Sequence, residues 1–483
     1  MARGNVKRNY IFNVSYQILS IITPLITTPY VSRVLGAAEI GKYSFTASVV
    51  SYFTLFAGMG TALYGSREIS YLQGDKQNRS IVFWNTEILS CITVLIVSTI
   101  YFIFALQQNK YKLFYIILSL NICTVAADIT WLFQGLEEFE KIVIRNSAFK
   151  LLNIVYIFAF INTKNDIYKY VLGICGFNFL SALFMWVYLP RYVNKINLQE
   201  IKPFKNIKTV LSLFVPTIAI SVYTVLDSSM IGWLCNNSVQ NGYYEQASKI
   251  SRFSSTFVTS LGPVMIPRIG SLYNSGDENG VRKYIYKSYT FAWFLSFPIC
   301  FGLVAISDNL VPWFLGSSFN GSISILKIFG FLMIALGINN TTGEQYLIPT
   351  GQQALFTKSV IIGAISNFCC NMILIPQFGA AGAAIGSVIA EAVIACTQLF
   401  FVRHELSIKR IINLSVKYLL SSLLMLAILM RIKAFFMPSI LNSLLLVVIG
   451  GCIYFFCLFI MKDQFIKEIF ESIRIKIKES IKK

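Results

Sequence analysis

The stretch IVFWNTEILSCITVLIVSTIYFIFAL, Ile81–Leu106, decides the class of fold. It holds a single charged residue, Glu87, and exceeds the ~20 apolar residues that carry a helix across the ~30 Å hydrocarbon core of a bilayer. Cations flank it, Lys76 and Arg79 before it and Lys110 and Lys112 after it. At membrane depth no water is available to the backbone, so such a run must close its hydrogen bonds within itself as an α-helix. Comparable runs recur in both directions, about one every 30–35 residues, from end to end of the chain. The composition agrees: of 483 residues 55% are hydrophobic and 13% charged, against about 25% charged in a soluble domain, and mean hydropathy is +0.64. The pattern predicts an all-α polytopic membrane protein and leaves no segment for a soluble enzyme domain.

Windows of about 20 residues place fourteen helices near 10–31, 43–65, 81–106, 113–134, 147–162, 170–190, 209–234, 244–266, 288–306, 322–345, 359–376, 381–402, 414–432 and 440–461. The first run continues beyond the length of a signal-peptide core and lacks a small-residue cleavage site, so it is expected to remain as the first span. A net charge of +19 in a soluble chain would point to nucleic acid. Here most of the 41 Lys and Arg fall in the even-numbered connections and the two tails, the asymmetry that sets membrane orientation; it puts both termini in the cytoplasm and implies no nucleic-acid partner. The one histidine, His404, sits in a basic loop, which argues against histidine catalysis or a histidine-held metal. The ten cysteines lie in or beside apolar runs without metal-ligand spacing. No cofactor or metal is expected. There is no G-x-x-x-x-G-K-[ST] loop, so the chain does not hydrolyse ATP itself.

An internal repeat emerges at an offset of about 201 residues, where Gly41, Tyr43, Phe56 and Arg67 meet Gly242, Tyr244, Phe257 and Arg268. Gly74-Asp75 and Gly276-Asp277 echo each other one step out of phase, and spans one and seven both carry proline, at Pro24 and Pro29 and at Pro216. The repeat predicts two six-helix lobes, 1–208 and 209–410, related by a pseudo-two-fold along the membrane normal, followed by two more helices over 411–461. The remainder, 462–483, spaces Phe465, Ile469, Ile473 and Ile477 at helical intervals among lysines and reads as a basic amphipathic tail for the anionic inner leaflet. In FGAAGAAIGS, Gly382 and Gly386 stand four apart, a spacing for close helix packing.

Three stretches carry a family resemblance: TTPYVSRVLGAAEIGKYSF from Thr27, DITWLFQGLEEFEK from Asp128, and IPTGQQALFTKSVIIGAISNFCCNMILIPQFGAAGAAIGSVIAE from Ile348. Together and in this order they resemble the Wzx-type oligosaccharide flippases of the polysaccharide transporter family, over essentially the whole chain. The resemblance implies two six-helix bundles around a central cavity. It implies an undecaprenyl-pyrophosphate-linked sugar repeat unit as substrate, turned from the inner to the outer leaflet of the bacterial cytoplasmic membrane. Membrane lipids, a polysaccharide polymerase and the chain-length machinery would be its partners.

Ionisable residues inside spans are costly and point to function. In span eight Glu245, Lys249 and Arg252 share a face, with Glu245 one turn from Lys249. Arg252, Lys249, Lys327 and Arg33 are the candidate substrate-binding residues, because a pyrophosphate or acidic sugar inside the bilayer needs fixed cations in place of its water. The alternatives are that Lys249 and Lys327 snorkel to the interface and that Arg252 pairs with a structural carboxylate such as Asp227. Glu391, Asp128 and Asp227 are candidates for proton or sodium coupling; interhelical hydrogen bonds are the competing use. Glu87 and Glu344, near inner boundaries, are expected to be wet. Two other functions remain in view. Multidrug exporters of the same superfamily usually place an acid in the first span, and Tyr10–Val31 has none. A polysaccharide polymerase or ligase needs polar residues on a large outer loop, and the longest such connection, Ser307–Gly321, offers only Asp308.

Overall fold

The computed structural model describes residues 6–468 and Glu471. Its α-helices, in order, are α1 (Val6–Gly58), α2 (Thr61–Tyr71), α3 (Lys76–Gln107), α4 (Lys112–Ala127), α5 (Thr130–Gly135), α6 (Phe139–Phe160), α7 (Ile167–Phe184), α8 (Leu189–Tyr192), α9 (Ile207–Leu234), α10 (Ser238–Thr259), α11 (Gly262–Asn274), α12 (Glu278–Phe314), α13 (Ser322–Asn339), α14 (Gln353–Phe378), α15 (Ala380–Val402), α16 (Ile408–Ile432) and α17 (Ile440–Ile460). A π-helical turn, Asn340–Leu347, prolongs α13. Among the described residues eleven helices are long and apolar enough to cross a membrane. The chain is a multi-pass membrane protein.

Eleven and fourteen reconcile physically. The first two expected spans run together in α1, where only Gly36, at φ 76, leaves helical geometry, and the second continues through α2. Span seven is α9, and span eight is α10, where Glu245, Lys249 and Arg252 crowd within eight residues; neither is among the eleven. The fourth span breaks at Asp128, where α4 ends and α5 begins. The expected amphipathic tail lies outside the described residues beyond Phe465 and its neighbours.

Packing divides the chain into two compact units, Met1–Gly242 and Tyr243–Lys483. In the first, Phe83 stacks on Trp131 at 5.4 Å and joins Ile69, Ile129, Leu132, Phe133 and Met185 in a buried cluster at one end of the helices. Three charged residues there differ from expectation. Arg79, expected in a loop, is 2% exposed, and its guanidinium donates to the carbonyls of Tyr192 (2.9 and 3.1 Å) and Gln73 (2.9 Å). Arg145 is 5% exposed inside α6, which starts at Phe139 rather than near 147. Glu87, expected to be wet, is 3% exposed, with its Oε1 lacking a hydrogen-bond partner among the described residues. Charge placed all three at a boundary, whereas the carbonyls of neighbouring segments or a polar interior receive them. Glu344 is exposed and accepts from Asn340 Nδ2 at 2.6 Å.

The repeat has a local structural counterpart. A Cβ on Gly41 would stand 1.7 Å from the Ser238 carbonyl oxygen, and one on Gly242 would stand 2.1 Å from the Ala37 carbonyl oxygen. Ala37 and Ser238 are themselves partners at the offset that relates Gly41 to Gly242. Each glycine therefore meets the residue four before the other glycine, the reciprocal contact that a local two-fold produces. Asp75 and Asp277 likewise do the same work: each caps a helix, accepting from Asn78 N at 3.0 Å and Gly280 N at 2.8 Å.

In the second unit α12 is the spine. Tyr289, Trp293 and Phe297 stack along it, and Trp293 Nε1 donates to Ile411 O (3.3 Å), Asn309 Nδ2 to Phe436 O (2.6 Å) and Trp313 Nε1 to Ser443 Oγ (2.6 Å), while Tyr454 OH returns a bond to Phe294 O (2.8 Å). Helices α16 and α17 are thus bonded to α12 along its length. Gly382 and Gly386 let α15 close on α14: a Cβ on either would meet Leu374 O at 2.2 Å or Asn371 Oδ1 at 2.3 Å.

Candidate functional site

Arg33, Asp128 and Asp227 belong to the first unit, and Lys249, Arg252, Lys327 and Glu391 to the second. On α10, Lys249 Nζ stands 3.4 Å from Glu245 Oε1, the i,i+4 pair that the spacing implies. One turn on, Arg252 is exposed, and among the described residues no side-chain hydrogen bond or ion pair engages its guanidinium. Lys327, on α13, is held by Asp308: Nζ to Oδ1 is 2.7 Å, and the other carboxylate oxygen takes Lys433 Nζ at 2.5 Å. One carboxylate between two ammonium groups fixes three segments. Glu391, on α15, receives Asn339 Nδ2 from α13 on its Oε2, and the same amide donates to its backbone oxygen at 3.2 Å. Arg33 is exposed on α1, one turn before Gly36. Asp227 lies on α9 in the first unit, within electrostatic reach of Tyr52 of α1.

Asp128 lines a cavity of the first unit. The break after α4 leaves its side chain to organise the turn: Oδ1 accepts from Thr130 N at 2.9 Å and from the Thr130 hydroxyl. That hydroxyl accepts from Arg145 NH2 at 2.8 Å, and Arg145 NH1 donates to Ser181 O at 2.9 Å. Acid and guanidinium are thereby joined through one threonine, which ties α4, α5, α6 and α7. Beside them opens a cavity of about 510 Å³ within the first unit, with Asn121, Asn146 and Asn178 among its walls. A broader groove of about 1010 Å³ lies in the second unit, where Arg282, Lys283, Lys287, Arg410 and Lys417 face Glu405, Asp463 and Glu468.

The family model described as "Polysaccharide biosynthesis protein" matches residues 6–273, more than half of the chain. The chain belongs to this family. A relative named "Putative O-antigen transporter", from Escherichia coli strain K12, is 24% identical over 415 residues, which cover 83% of this chain and 97% of the relative. Among solved structures, a lipid II flippase, MurJ, in an inward closed conformation superposes with a TM-score of 0.74 at 16% identity, covering 95% of this chain and all of that one. A multidrug resistance MATE family transporter of the MOP superfamily, in an inward-facing conformation, gives 0.63 at 15% identity over 82% of this chain and 95% of its own. Both likenesses concern the fold.

Within the family frame, the sequence reading found the charged candidates and missed the amides. Asn121 and Asn178 stand inside expected spans and Asn146 one residue before one. A search for polar rather than ionisable residues in apolar runs would have singled them out. Nothing in the sequence shows that they converge.

Proposed function

We propose that this protein is a secondary transporter, a flippase that carries an undecaprenyl-pyrophosphate-linked oligosaccharide repeat unit from the inner to the outer leaflet of the bacterial cytoplasmic membrane. The observation that carries this reading is family membership, together with end-to-end likeness to a relative named as an O-antigen transporter. Arg252 supplies the physical reason. Desolvating a pyrophosphate is prohibitive unless fixed cations replace its water, and an unengaged guanidinium offers the forked donor set that phosphate oxygens take up. Lys249 and Arg33 add cationic surface. Lys327 acts through its ionic cluster with Asp308 and Lys433.

Movement would come from two lobes, 1–208 and 209–410, alternating between inward-open and outward-open arrangements, with 411–461 supporting the second lobe. Glu391, Asp128 and Asp227 are the carboxylates through which an ion gradient would couple. Both termini lie in the cytoplasm, as the distribution of Lys and Arg requires. The product emerges in the outer leaflet, where a polymerase and its chain-length machinery would take it up. The test is expression in flippase-deficient cells supplied with defined repeat units: surface polysaccharide returns for at least one unit, and return for none would refute the reading.

A further inference from the structure

The cavity of the first unit has a chemistry that the cationic candidates do not explain. Its walls come from α1, α4, α5, α6 and α7 and from the turn between α4 and α5, all inside segments long and apolar enough to cross a membrane. Among the described residues the side-chain amides of Asn146 and Asn178 make no hydrogen bond, and Asp128 Oδ2 makes none either. The wall hydroxyls of Ser51, Thr54 and Thr124 donate back to Ala47 O (2.8 Å), Val50 O (3.1 Å) and Leu120 O (2.7 Å), which leaves their lone pairs as acceptors. Polar groups at membrane depth are expensive unless they face a cavity whose contents they bond.

The contents can be specified. One guanidinium and one carboxylate line the cavity, so its walls carry no excess of positive charge for a pyrophosphate or polyacid. A carboxamide offers two donors and two acceptors side by side, and a sugar hydroxyl is both donor and acceptor. Val125 and Ala182 give the apolar surface that the C–H face of a ring needs. A volume of about 510 Å³ falls within the usual span of small-molecule sites and admits saccharide units without their lipid. We propose that this cavity receives an uncharged pyranose of the lipid-linked glycan, and that Asn146 and Asn178 read its hydroxyls and so determine which repeat unit is accepted. The proposal rests on the flippase reading for its substrate, while the cavity itself can be tested without transport.

Purified protein is titrated with free neutral oligosaccharides of hexose and N-acetylhexosamine, without lipid or phosphate, and separately with inorganic pyrophosphate. Saturable binding of at least one oligosaccharide is expected. Asn146→Leu and Asn178→Leu each weaken it about tenfold, the loss of a hydrogen bond or two, and leave pyrophosphate binding unchanged; Arg252→Ala does the reverse. Asn178→Gln keeps an amide but moves it by one methylene, so a shifted preference among the oligosaccharides is expected even where a leucine variant folds poorly. In cells, the same variants change the ratio of repeat units displayed at equal protein level. No saturable binding of any neutral oligosaccharide overturns the proposal, as does an unchanged preference in all the asparagine variants. A wild-type chain that binds sugar but restores no polysaccharide overturns the flippase reading instead.

Discussion

Replacing Gly41 or Gly242 by alanine tests the crossing of α1 with the start of α10. Each added methyl carbon would lie 1.7 Å or 2.1 Å from a carbonyl oxygen across the crossing, where ordinary contact is about 3.4 Å, so the backbones must part by more than 1 Å. The obstacle is main chain on both sides, and no rotamer relieves it. Overpacking of this kind costs about 1–3 kcal/mol, and the upper end is expected here. The two contacts share one crossing, so separation forced by the first alanine accommodates much of the second. The double variant should then be less destabilised than the sum of the singles, by roughly 1 kcal/mol or more. Thermal unfolding of the detergent-purified protein measures this, with Gly74→Ala as control because its Cβ meets nothing within 4 Å. Two near-equal losses and strong sub-additivity are expected. A wild-type midpoint for either single variant, or strict additivity, refutes the reciprocal contact.

Three further outcomes follow from the charged groups. Arg252→Ala abolishes polysaccharide display although the protein reaches the membrane, and Arg252→Lys restores only part of it, because an ammonium lacks the fork; normal display by a well-expressed Arg252→Ala would sink the assignment. Glu391→Gln removes a titratable proton and keeps the Asn339 contact, so transport coupled through Glu391 loses its pH dependence. An unaltered pH profile would assign the residue to packing, and Asp128→Asn and Asp227→Asn are read in the same way. Asp75 accepts from the Asn78 backbone and side-chain amides, which hold its carboxyl below the usual carboxylate range. Its cap therefore stabilises fully above the unfolded carboxyl pKa of about 3.9 and fades as pH falls through the lowered folded value. Asp75→Ala should melt earlier than wild type at pH 7, and the gap should narrow in acid.

Span positions were legible because the bilayer imposes one rule on every segment: about 20 apolar residues, backbone bonds closed internally. The twin Gly-Asp pairs were legible as an echo of the repeat, and their capping of α3 and α12 came from the structure. Other features depend on what lies across the fold. Arg79 and Arg145 looked like loop cations, and only the third dimension brings the carbonyls of Tyr192 and Ser181 to them. Gly41 and Gly242 were visible as a matched pair, but a match in sequence does not say that the partners touch. Lys327 looked available to a ligand until Asp308, nineteen residues earlier, closed on it from α12. The amide cavity draws on five helices, each contributing one to three ordinary residues, and no single stretch announces it.

The bonds from α12 to α16 and α17 also bear on how the chain is made. Trp293, Asp308, Asn309 and Trp313 leave the ribosome well before their partners at Ile411, Lys433, Phe436 and Ser443. At about 5–20 residues per second, the interval of 118 to 130 residues amounts to about 6–26 s. During that time α12 sits in the bilayer with open donors and an acid served only by Lys327. The growing second unit therefore waits for its last two helices to complete it, and a chain that stops after α15 would present these polar groups to lipid or to membrane quality control.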